Sequence, residues 1–318
     1  MFQIILVGAG QIGSRYLSGL AKINKKIKIL VVEPIISSQK IAKQRWIEAG
    51  GEKSGHYIEY VNSLDHQNFS VDLAIIATSA FERSKLIHDV SLKTNPRYWV
   101  IEKIVAQSIQ ELNLIQCETT KAKGAWVNTP RRLMTWHQKL KNKFYDQGPL
   151  SVKLIGGIWG LACNSIHFID LISWWTGESL LSIDTAGLDR EWFKSKRPGY
   201  YEITGELTAK FSKGTVLILR SERKINKDII SVKLSNNDVW QINEREGKAH
   251  SSSGDILNGI LEYQSDITGP MVNKIIEEGA CNLPTIKFSS EQHLIFIDRI
   301  LKHWNSSNNS NATVAPLT

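Results

Sequence analysis

The sequence predicts an α/β protein with two parts. The first is a doubly wound parallel sheet, and the second is an α+β domain with a large, open and mostly antiparallel sheet. Strands and helices alternate about six times within residues 1–130, which is typical of a parallel sheet covered by helices on both faces. A glycine-rich turn directly follows the first strand. Beyond residue 150, extended segments follow one another across polar turns, as in antiparallel hairpins.

The first strand and its turn are the clearest signal in the chain. Residues 4–7 form an unbroken apolar run, as in a strand that is buried on both faces. Gly8, Gly10 and Gly13 follow in the spacing G-x-G-x-x-G, and residues 14–22 have the pattern of a helix. Gly8 permits a tight turn, Gly10 leaves room for a pyrophosphate, and Gly13 allows the helix to pack closely on the strand. The pattern predicts a Rossmann-type dinucleotide site with its phosphates at the helix N-terminus.

The second predicted strand ends in Glu33, about twenty residues past Gly13. A carboxylate at this place accepts hydrogen bonds from the adenosine ribose hydroxyls, and it repels a 2′-phosphate. We therefore expect NAD as the cofactor. Ser37, Ser38 and Lys40 lie just beyond Glu33 and keep NADP open as an alternative.

The remaining elements of the first half continue the alternation. A helix at 37–49 and a strand at 57–61 precede an acidic turn around Asp65, and the later segments are strands at 71–77, 98–101 and 125–128 and helices at 82–92 and 107–123. Two of these strands lead into Thr78 and into Glu102-Lys103. Because the carboxyl ends of parallel strands face the ligand crevice, we expect these residues at the cofactor site.

The pattern changes after residue 130. The predicted elements are a basic helix at 131–144, a strand at 150–158, a helix at 165–176, extended segments at 182–188, 201–211, 215–223, 229–234 and 239–243, and helices at 265–279 and 289–304. We expect a Rossmann domain at 1–127, an α+β substrate domain at 128–304 whose last helix packs back on the first domain, and a disordered polar tail at 305–318. An open sheet leaves one face uncovered, which predicts a homodimer or a homotetramer.

Composition and charge narrow the function classes. With 42% hydrophobic and 22% charged residues, the chain is an ordinary globular protein. No apolar run reaches the length of a membrane span, and Met1 leads into a core strand without room for a signal peptide. The three cysteines lie far apart without metal-ligand spacing, so we expect reduced thiols, a cytoplasmic protein and no metal.

The net charge of +8 fits either a solvated basic surface or the steering of an anionic substrate or cofactor. Nucleic acid is not expected as a partner, because the lysines are scattered and no basic-aromatic motif or zinc module occurs.

Several short motifs occur in an order that resembles one enzyme family. They are G-A-G-Q-I-G from Gly8, I-I-A-T up to Thr78, E-K at Glu102-Lys103, N-x-x-R from Asn128 to Arg131, H-x-x-D from His167 to Asp170, and W-W-T-G from Trp174. Over nearly its whole length the chain resembles the glucose–fructose oxidoreductase / inositol dehydrogenase / MocA family of nicotinamide-dependent oxidoreductases. The resemblance implies hydride transfer between NAD(P) and a secondary alcohol or carbonyl of a sugar derivative. A nucleotide sugar, an amino sugar or a sugar acid would suit the basic charge.

Two departures from the family pattern concern the candidate site. The family usually has a proline after the E-K pair, where this chain has Ile104. It often has an aspartate four residues, and a glycine two residues, before the motif histidine, where this chain has Cys163 and Ser165. The missing aspartate raises an alternative, a dinucleotide- or sugar-binding protein that has lost turnover. A reductase of a non-sugar carbonyl or an imine is a second alternative, because a fold does not fix the substrate.

Oxidising an alcohol requires a side chain that takes the hydroxyl proton. Lys103 is the candidate, because burial would lower its pKa from about 10.4 toward the working range. A surface lysine paired with Glu102 is the plainer interpretation. His167 lies three residues before Asp170 on one helix face, and it either binds or relays a substrate proton or is an ordinary buried histidine.

The predicted site residues form three groups. The catalytic residues are Lys103 and His167. The cofactor-binding residues are Gly8, Gly10, Gln11, Ile12, Gly13, Glu33, Thr78, Glu102 and Lys103. The substrate-binding residues are Asn128, Arg131, Asn164 and His167, and the substrate is expected to be a small sugar-type molecule.

Overall fold

The structure is a computed structural model that describes residues 1–64, 70–224 and 228–318. The predicted acidic turn around Asp65 lies outside the described residues. By its internal contacts the chain divides into two compact units. The first contains Met1–Ala106, Gln110–Leu133 and Glu262–Ser289, and the second contains Gln107–Ile109, Met134–Leu261 and Ser290–Thr318.

The helices and strands are numbered in chain order. The helices are α1 (Gln11–Leu20), α2 (Ile36–Glu48), α3 (Arg83–Thr94), α4 (Ile109–Thr119), α5 (Thr135–Phe144), α6 (Leu161–Thr176), α7 (Gln264–Glu278) and α8 (Ile286–Asn308). The strands are β1 (Phe2–Val7), β2 (Ile27–Val32), β3 (Tyr57–Val61), β4 (Leu73–Ile76), β5 (Tyr98–Glu102), β6 (Gly124–Asn128), β7 (Ser151–Gly156), β8 (Leu180–Asp184), β9 (Phe193–Lys194), β10 (Tyr201–Glu202), β11 (Gly205–Phe211), β12 (Val216–Ser221), β13 (Ile229–Lys233), β14 (Val239–Asn243), β15 (Lys248–Ser251) and β16 (Ile256–Asn258).

The first unit is built on a sheet whose strands run in the order β3-β2-β1-β4-β5-β6, and every pair in it is parallel. The central strands β1 and β4 are apolar except for Gln3, and Ile4, Leu6 and Ile75 are fully buried. The order reverses direction between β1 and β4, which is where ligands bind in open parallel sheets. The doubly wound sheet expected from the sequence is confirmed.

A late helix belongs to this first unit. Helix α7 packs against α1, and the sequence-based boundary at residue 128 assigned it to the second domain. Gly19 is the contact point, since a Cβ there would lie 2.5 Å from Thr268 Cβ and 2.9 Å from the Ser265 carbonyl oxygen. By its internal contacts, α8 belongs to the second unit from Ser290 onward, and the expectation that it packs back on the first domain stays a prediction.

The second unit contains a sheet of eight described strands in the order β16-β15-β14-β13-β7-β12-β11-β8. Neighbouring strands are antiparallel except for β7 and β12, so the mostly antiparallel sheet is confirmed. Strand β7 alternates between buried Val152 and Leu154 and exposed Ser151, Lys153 and Ile155. Helix α6 packs against β12 and α5 packs on α6.

The edges of this sheet and the start of its first helix differ from the prediction. Strands β15 and β16 were not expected, because Lys248–Ser251 is polar and Ile256–Asn258 is too short to show an alternation. The basic helix predicted from residue 131 begins only at Thr135, after a single 3₁₀ turn at Pro130–Leu133.

The C-terminal segment is ordered, so the prediction of a disordered tail at 305–318 was wrong. Helix α8 continues to Asn308. Ala315 and Leu317 are 0% and 1% exposed, and both of their carbonyls accept hydrogen bonds from Gln107 Nε2 at 3.0 and 2.9 Å. Tyr201 N–H donates to the Pro316 carbonyl. A few apolar residues within a polar stretch are enough to anchor it.

Among the helices in the described residues, none combines the length and the apolar character needed to cross a membrane.

The packing of α7 on α1 predicts the effect of a single methyl group. Alanine favours helices over glycine by about 1 kcal/mol, yet Gly19→Ala would push a Cβ into Thr268 and the Ser265 carbonyl. We expect Gly19→Ala to lower the free energy of unfolding by about 1–3 kcal/mol, as overpacking does. Ser18→Ala, one residue earlier on the same helix, is the control and should change stability by less than about 0.5 kcal/mol. Urea denaturation measures both, and a Gly19→Ala protein as stable as wild type would contradict the contact.

Candidate functional site

The turn after β1 has the geometry that its glycines predict. Gly8 has φ +87°, a left-handed conformation that side chains rarely adopt. A Cβ on Gly13 would lie 1.9 Å from the Gly8 carbonyl oxygen. Helix α1 therefore approaches the turn so closely that only glycine fits at residue 13.

Gly10 differs from Gly8 and Gly13 because the space around its Cα is empty. A Cβ added there would meet nothing within 4 Å, and its φ of −63° is allowed for any residue. Gly10 is the N-cap of α1, and no side chain caps the helix. Gln11 is exposed and Ile12 is partly buried at the helix start. The first backbone N–H groups of α1 are thus available to an anion beside an empty space above Gly10.

Glu33 lies where the sequence places it, directly after β2, and it is 5% exposed. Its Oε2 accepts a hydrogen bond from Ala9 N–H at 2.7 Å, and its Oε1 accepts one from Ile35 N–H at 2.9 Å. The carboxylate thereby ties the end of β2 to the glycine turn. Each carboxylate oxygen has two lone pairs, so each can accept one further hydrogen bond from a ligand hydroxyl.

Thr78 follows β4 and lies against the glycine turn. Its Cγ2 would be 2.9 Å from a Cβ on Gly8. The Thr78 hydroxyl oxygen is buried and has no hydrogen-bond partner within the described part of the chain. A buried hydroxyl without a partner is costly, and it marks a place where a ligand atom can complete the bonding.

Arg83, at the start of α3, is a buried cation that the sequence did not reveal. It is 1% exposed, and its Nη1 donates to the carbonyls of Glu102, at 2.6 Å, and of Ile104 and Val105. Its Nη2 donates to the Thr78 carbonyl. One guanidinium therefore joins the loops that follow β4 and β5. An arginine just inside a helix looks like a surface residue in a sequence, so no pattern pointed to it.

Arg45, on α2, is a second residue that the sequence did not reveal. Its Nη1 donates to Ser14 Oγ at 2.6 Å and to the Gln11 carbonyl at 3.2 Å, and its Nη2 donates to Gln11 Oε1 at 3.1 Å. This brings a positive charge to the start of α1.

Glu102 is the centre of a buried polar network rather than an exposed ligand. Its Oε1 accepts hydrogen bonds from Tyr16 Oη at 2.7 Å and from Asn128 Nδ2 at 2.6 Å. Asn128 Nδ2 also donates to Gln264 Oε1 at 2.9 Å. Burial raises the pKa of Glu102, while the hydrogen bonds from Tyr16 and Asn128 act in the opposite direction. Burial and the neighbouring Glu102 charge raise the pKa of Tyr16 well above its usual value, so its hydroxyl remains a donor.

Lys103 follows this network at the end of β5 and is partly buried. The Lys103–Ile104 peptide bond is cis. Its two neighbouring carbonyls, of Glu102 and Ile104, are both held by Arg83. The backbone on either side of Lys103 is therefore fixed.

Asn128 and Arg131 lie further along the same unit. Asn128 is 2% exposed, and its amide nitrogen is engaged with Glu102 and Gln264. Its accessible role is to hold Glu102, so direct substrate contact stays a prediction. Arg131 lies in the 3₁₀ turn after β6 and is partly buried. The neighbouring Arg132 stacks over the Phe288 ring at 5.1 Å.

The remaining predicted site residues, Asn164 and His167, lie in the first half of α6 in the second unit. Gly160 precedes the helix with φ +80°, and the buried Glu202 accepts hydrogen bonds from Ala162 N–H at 2.9 Å and Cys163 N–H at 3.3 Å. Asn164 Nδ2 donates to the Trp159 carbonyl at 2.8 Å. Cys163, in place of the family's aspartate, is thus a helix-start residue next to a carboxylate.

His167 and Asp170 follow on the same helix. His167 is partly buried, whereas Asp170 is 1% exposed within the unit. The i, i+3 spacing places them along one side of α6, as expected. Over residues 1–64, 70–224 and 228–318, no group of three or more His, Cys, Asp and Glu side chains is arranged to hold a metal ion.

No protein-family model matches the sequence, and no curated protein matches it. Solved structures do resemble it. They include myo-inositol dehydrogenase from Lactobacillus casei in complex with NAD(H) and myo-inositol, at 14% identity with 99% of each chain covered and a TM-score of 0.68. UDP-N-acetylglucosamine 3-dehydrogenase from Acidithiobacillus ferrooxidans matches at 13% identity, over 94% of this chain and 96% of that one, with a TM-score of 0.67. A myo-inositol dehydrogenase from Corynebacterium glutamicum matches at 15% identity, over 96% and 97%, with a TM-score of 0.67. The shared feature is the fold.

The raised pKa of Glu102 predicts a pH dependence of stability. In the window between its ordinary pKa and its raised pKa, the folded chain binds the proton more tightly than the unfolded chain. The free energy of unfolding contributed by this group therefore falls as pH rises through that window. Gln at this position can still accept from Tyr16 and Asn128 without burying a charge. We expect Glu102→Gln to raise the free energy of unfolding relative to wild type at pH 8.

The same measurement at lower pH is the control. Below the ordinary pKa of a carboxyl group both proteins carry a neutral side chain, so the gain from Glu102→Gln should shrink. Urea denaturation at pH 8 and at about pH 4 gives the two differences. A variant that is destabilised equally at both values would show that burial of the charge costs nothing here.

Proposed function

We propose that this protein is an NAD-dependent oxidoreductase that transfers a hydride between nicotinamide and a secondary alcohol or carbonyl of a sugar derivative. One observation carries the proposal. Around the glycine turn, an open space above Gly10, an uncapped helix start and the buried, unmatched hydroxyl of Thr78 converge with the Glu33 carboxylate. Each of these features is complementary to one part of a dinucleotide.

The residues would hold the cofactor as follows. Backbone N–H groups from Gly10 to Gly13 take the pyrophosphate, and Arg45 adds positive charge beside Gln11. Glu33 accepts from the ribose hydroxyls and disfavours a 2′-phosphate. Exposed apolar side chains border the same strand ends and suit an adenine face; they are Ile35, Ile36 and Phe81, which are 58%, 65% and 62% exposed.

Two structural neighbours support the substrate class. One was solved with NAD(H) and myo-inositol, and another is a UDP-N-acetylglucosamine 3-dehydrogenase. Both act on, or bind, polyhydroxylated rings. Together with the ordered motifs that resemble the glucose–fructose oxidoreductase / inositol dehydrogenase / MocA family, they favour a sugar-type substrate for this chain.

Lys103 is the proton acceptor in this proposal. When bound, NAD supplies the hydride acceptor, and the protein's task is to take the hydroxyl proton from the same carbon. Lys103 has a flexible stem on a backbone fixed by Arg83. We assign His167 to assist by hydrogen bonding the substrate, with Asn164 and Arg131 as further substrate contacts. Asp170, which is buried, supports the helix or orients His167 and does not contact the substrate.

Arg83 and the Glu102 network are positioning elements in the same proposal. Arg83 donates hydrogen bonds to four backbone carbonyls through the two terminal nitrogens of its planar guanidinium. A lysine at position 83 has a single nitrogen with three donors and could not bind all four. The Glu102 carboxylate is held by hydrogen bonds from Tyr16 and Asn128. These contacts fix the backbone of Lys103 at the end of β5.

A second candidate function is binding without turnover. The observation that favours it is Cys163, whose backbone N–H is engaged by Glu202 and whose side chain replaces an aspartate that often shares in catalysis in the family. Retention of Lys103 and His167 favours the enzyme. A homodimer or homotetramer stays a prediction, which light scattering at micromolar concentration tests.

The cofactor preference follows from Glu33. We expect NADH to bind more tightly than NADPH, because the buried carboxylate would repel a 2′-phosphate. Fluorescence titration with both cofactors measures the ratio. Gly10→Val should fold normally, since its Cβ has free space, yet lose binding of either cofactor by collision with the pyrophosphate. Tighter binding of NADPH would contradict the role of Glu33, with Ser37, Ser38 and Lys40 as the first residues to examine.

The catalytic assignment is tested at Lys103. Lys103→Met should keep the fold and the affinity for NADH, yet lower turnover by about 10²–10⁴-fold, as expected for lost acid–base catalysis. His167→Ala should cost less in turnover and more in apparent substrate affinity. Turnover is measured by nicotinamide absorbance with a panel of sugars and nucleotide sugars.

Two results would overturn this assignment. Near wild-type turnover in Lys103→Met would mean that another group accepts the proton. Tight NADH binding by the wild type, without turnover of any substrate including those retained through purification, would favour the binding protein.

A further inference from the structure

A small hairpin in the second unit contacts α6, the helix that carries His167, through β10. It consists of β9 and β10, inserted between β8 and β11. Its base is closed by a hydrogen bond from Asp189 N–H to the Thr204 carbonyl at 3.0 Å. Its turn is ordered by Ser195, whose hydroxyl donates to the Arg197 carbonyl and accepts from Arg197 N–H.

The turn is strongly basic and its charges are uncompensated. Arg190, Lys194, Lys196 and Arg197 fall within eight residues and are exposed. Throughout the described residues, none of these four cations forms an ion pair. Two acids share the segment: Asp189 accepts from the Thr204 hydroxyl, and Glu191 leaves a clear excess of positive charge.

A fifth cation joins the hairpin from the neighbouring strand end. The Arg223 guanidinium lies over the Phe193 ring, 5.4 Å from its centroid. Arg223 is exposed and has no ion pair with any described residue. The guanidinium is therefore oriented by an aromatic face while its donors remain available.

Aromatic rings line the base of the same hairpin. Trp192 and Trp304 are 5.1 Å apart edge to face, and Tyr201 lies 5.0 Å from Trp304. All three are only partly buried. Partly exposed aromatic faces beside a cationic turn are the surface on which bases stack while their phosphates are neutralised.

The hairpin is joined directly to the predicted substrate residues. Glu202, its last strand residue, accepts from Ala162 N–H and Cys163 N–H in the first turn of α6. These two groups lie one to two residues before Asn164 and four to five residues before His167. This carboxylate also occupies the positive end of the helix, so an anion is disfavoured there. At about 3.3 Å per residue, the basic turn at Arg197 is at most about 17 Å from Glu202.

We propose that the basic turn 194–197, with Arg190 and Arg223, binds the diphosphate of a nucleoside diphosphate sugar, whose base lies on the aromatic rings at the hairpin base. The inference rests on the proposed function and deepens it, since it selects one substrate class. Phosphorylated sugars share the phosphate chemistry but lack a base, so the aromatic rings favour the nucleotide.

The test uses UDP as a probe and needs no turnover. Calorimetric titration of UDP into wild type saturated with NADH should show binding that weakens with added salt. Lys196→Glu and Arg197→Glu should each weaken it about tenfold or more, since each loses a charge-assisted contact. Lys213→Glu is the matched control, because it makes the same charge change in another exposed turn of the same unit and should leave UDP affinity unchanged.

Two further arms separate this inference from the proposed function. Gly10→Val, which should not bind NADH, should still bind UDP, so loss of the dinucleotide site leaves this measurement intact. Inorganic diphosphate should bind more weakly than UDP, and uridine more weakly still. The proposal would be overturned if wild type did not bind UDP, or if NADH displaced UDP. It would also be overturned if the Lys196→Glu and Arg197→Glu proteins bound UDP as tightly as wild type does. If inorganic diphosphate bound as tightly as UDP does, the proposal that the aromatic rings bind the nucleoside would be overturned.

Discussion

The contact between Gly13 and the Gly8 carbonyl is the constraint on which the candidate site depends. A Cβ at residue 13 would lie 1.9 Å from that oxygen, so the helix can lie this close to the strand only because residue 13 is glycine. The approach places the uncapped start of α1 at the carboxyl end of β1, next to β4 and Thr78. Glu33 then closes on the turn through Ala9 N–H. The position of the uncapped helix start, of Glu33 and of the open space above Gly10 all depend on one missing side chain.

Beyond this turn, two buried ionisable side chains, Arg83 and Glu102, hold the chain around Lys103. Arg83 is oriented by the carbonyls of the loops after β4 and β5, and Glu102 is anchored by Tyr16 and Asn128. Burial raises the pKa of Glu102, so the hydrogen bonds from Tyr16 and Asn128 offset only part of the cost of burying its charge. The carbonyls of Glu102 and Ile104, which accept hydrogen bonds from Arg83, fix the backbone on both sides of Lys103.

The elements that the sequence predicted well are those with strong local signals. The parallel strands were visible as apolar runs, and the glycine turn and Glu33 by their spacing. Elements whose signal is non-local were missed. Strand β15 is polar and β16 has only three residues, α7 joins the first unit through its packing on α1, and the tail is held by Gln107, about 200 residues away in sequence. At the site, Arg45 and Arg83 were missed because their partners are backbone carbonyls and side chains brought near by folding. Asn128 was predicted to contact the substrate; its amide nitrogen donates to Glu102, which the sequence did not reveal, and the substrate contact stays a prediction.

The central claim is that the dinucleotide held at the glycine turn exchanges a hydride with a sugar derivative. It is tested most directly with NADH that carries deuterium at the transferable position of nicotinamide C4. The wild-type protein, incubated with this cofactor and a mixture of small-molecule carbonyl metabolites, should place one deuterium on carbon in a polyhydroxylated product that mass spectrometry detects. The Lys103→Met protein should bind the cofactor and give little of that product. Tight binding of the labelled cofactor by wild type, with no deuterium transferred to any carbon, would contradict the account.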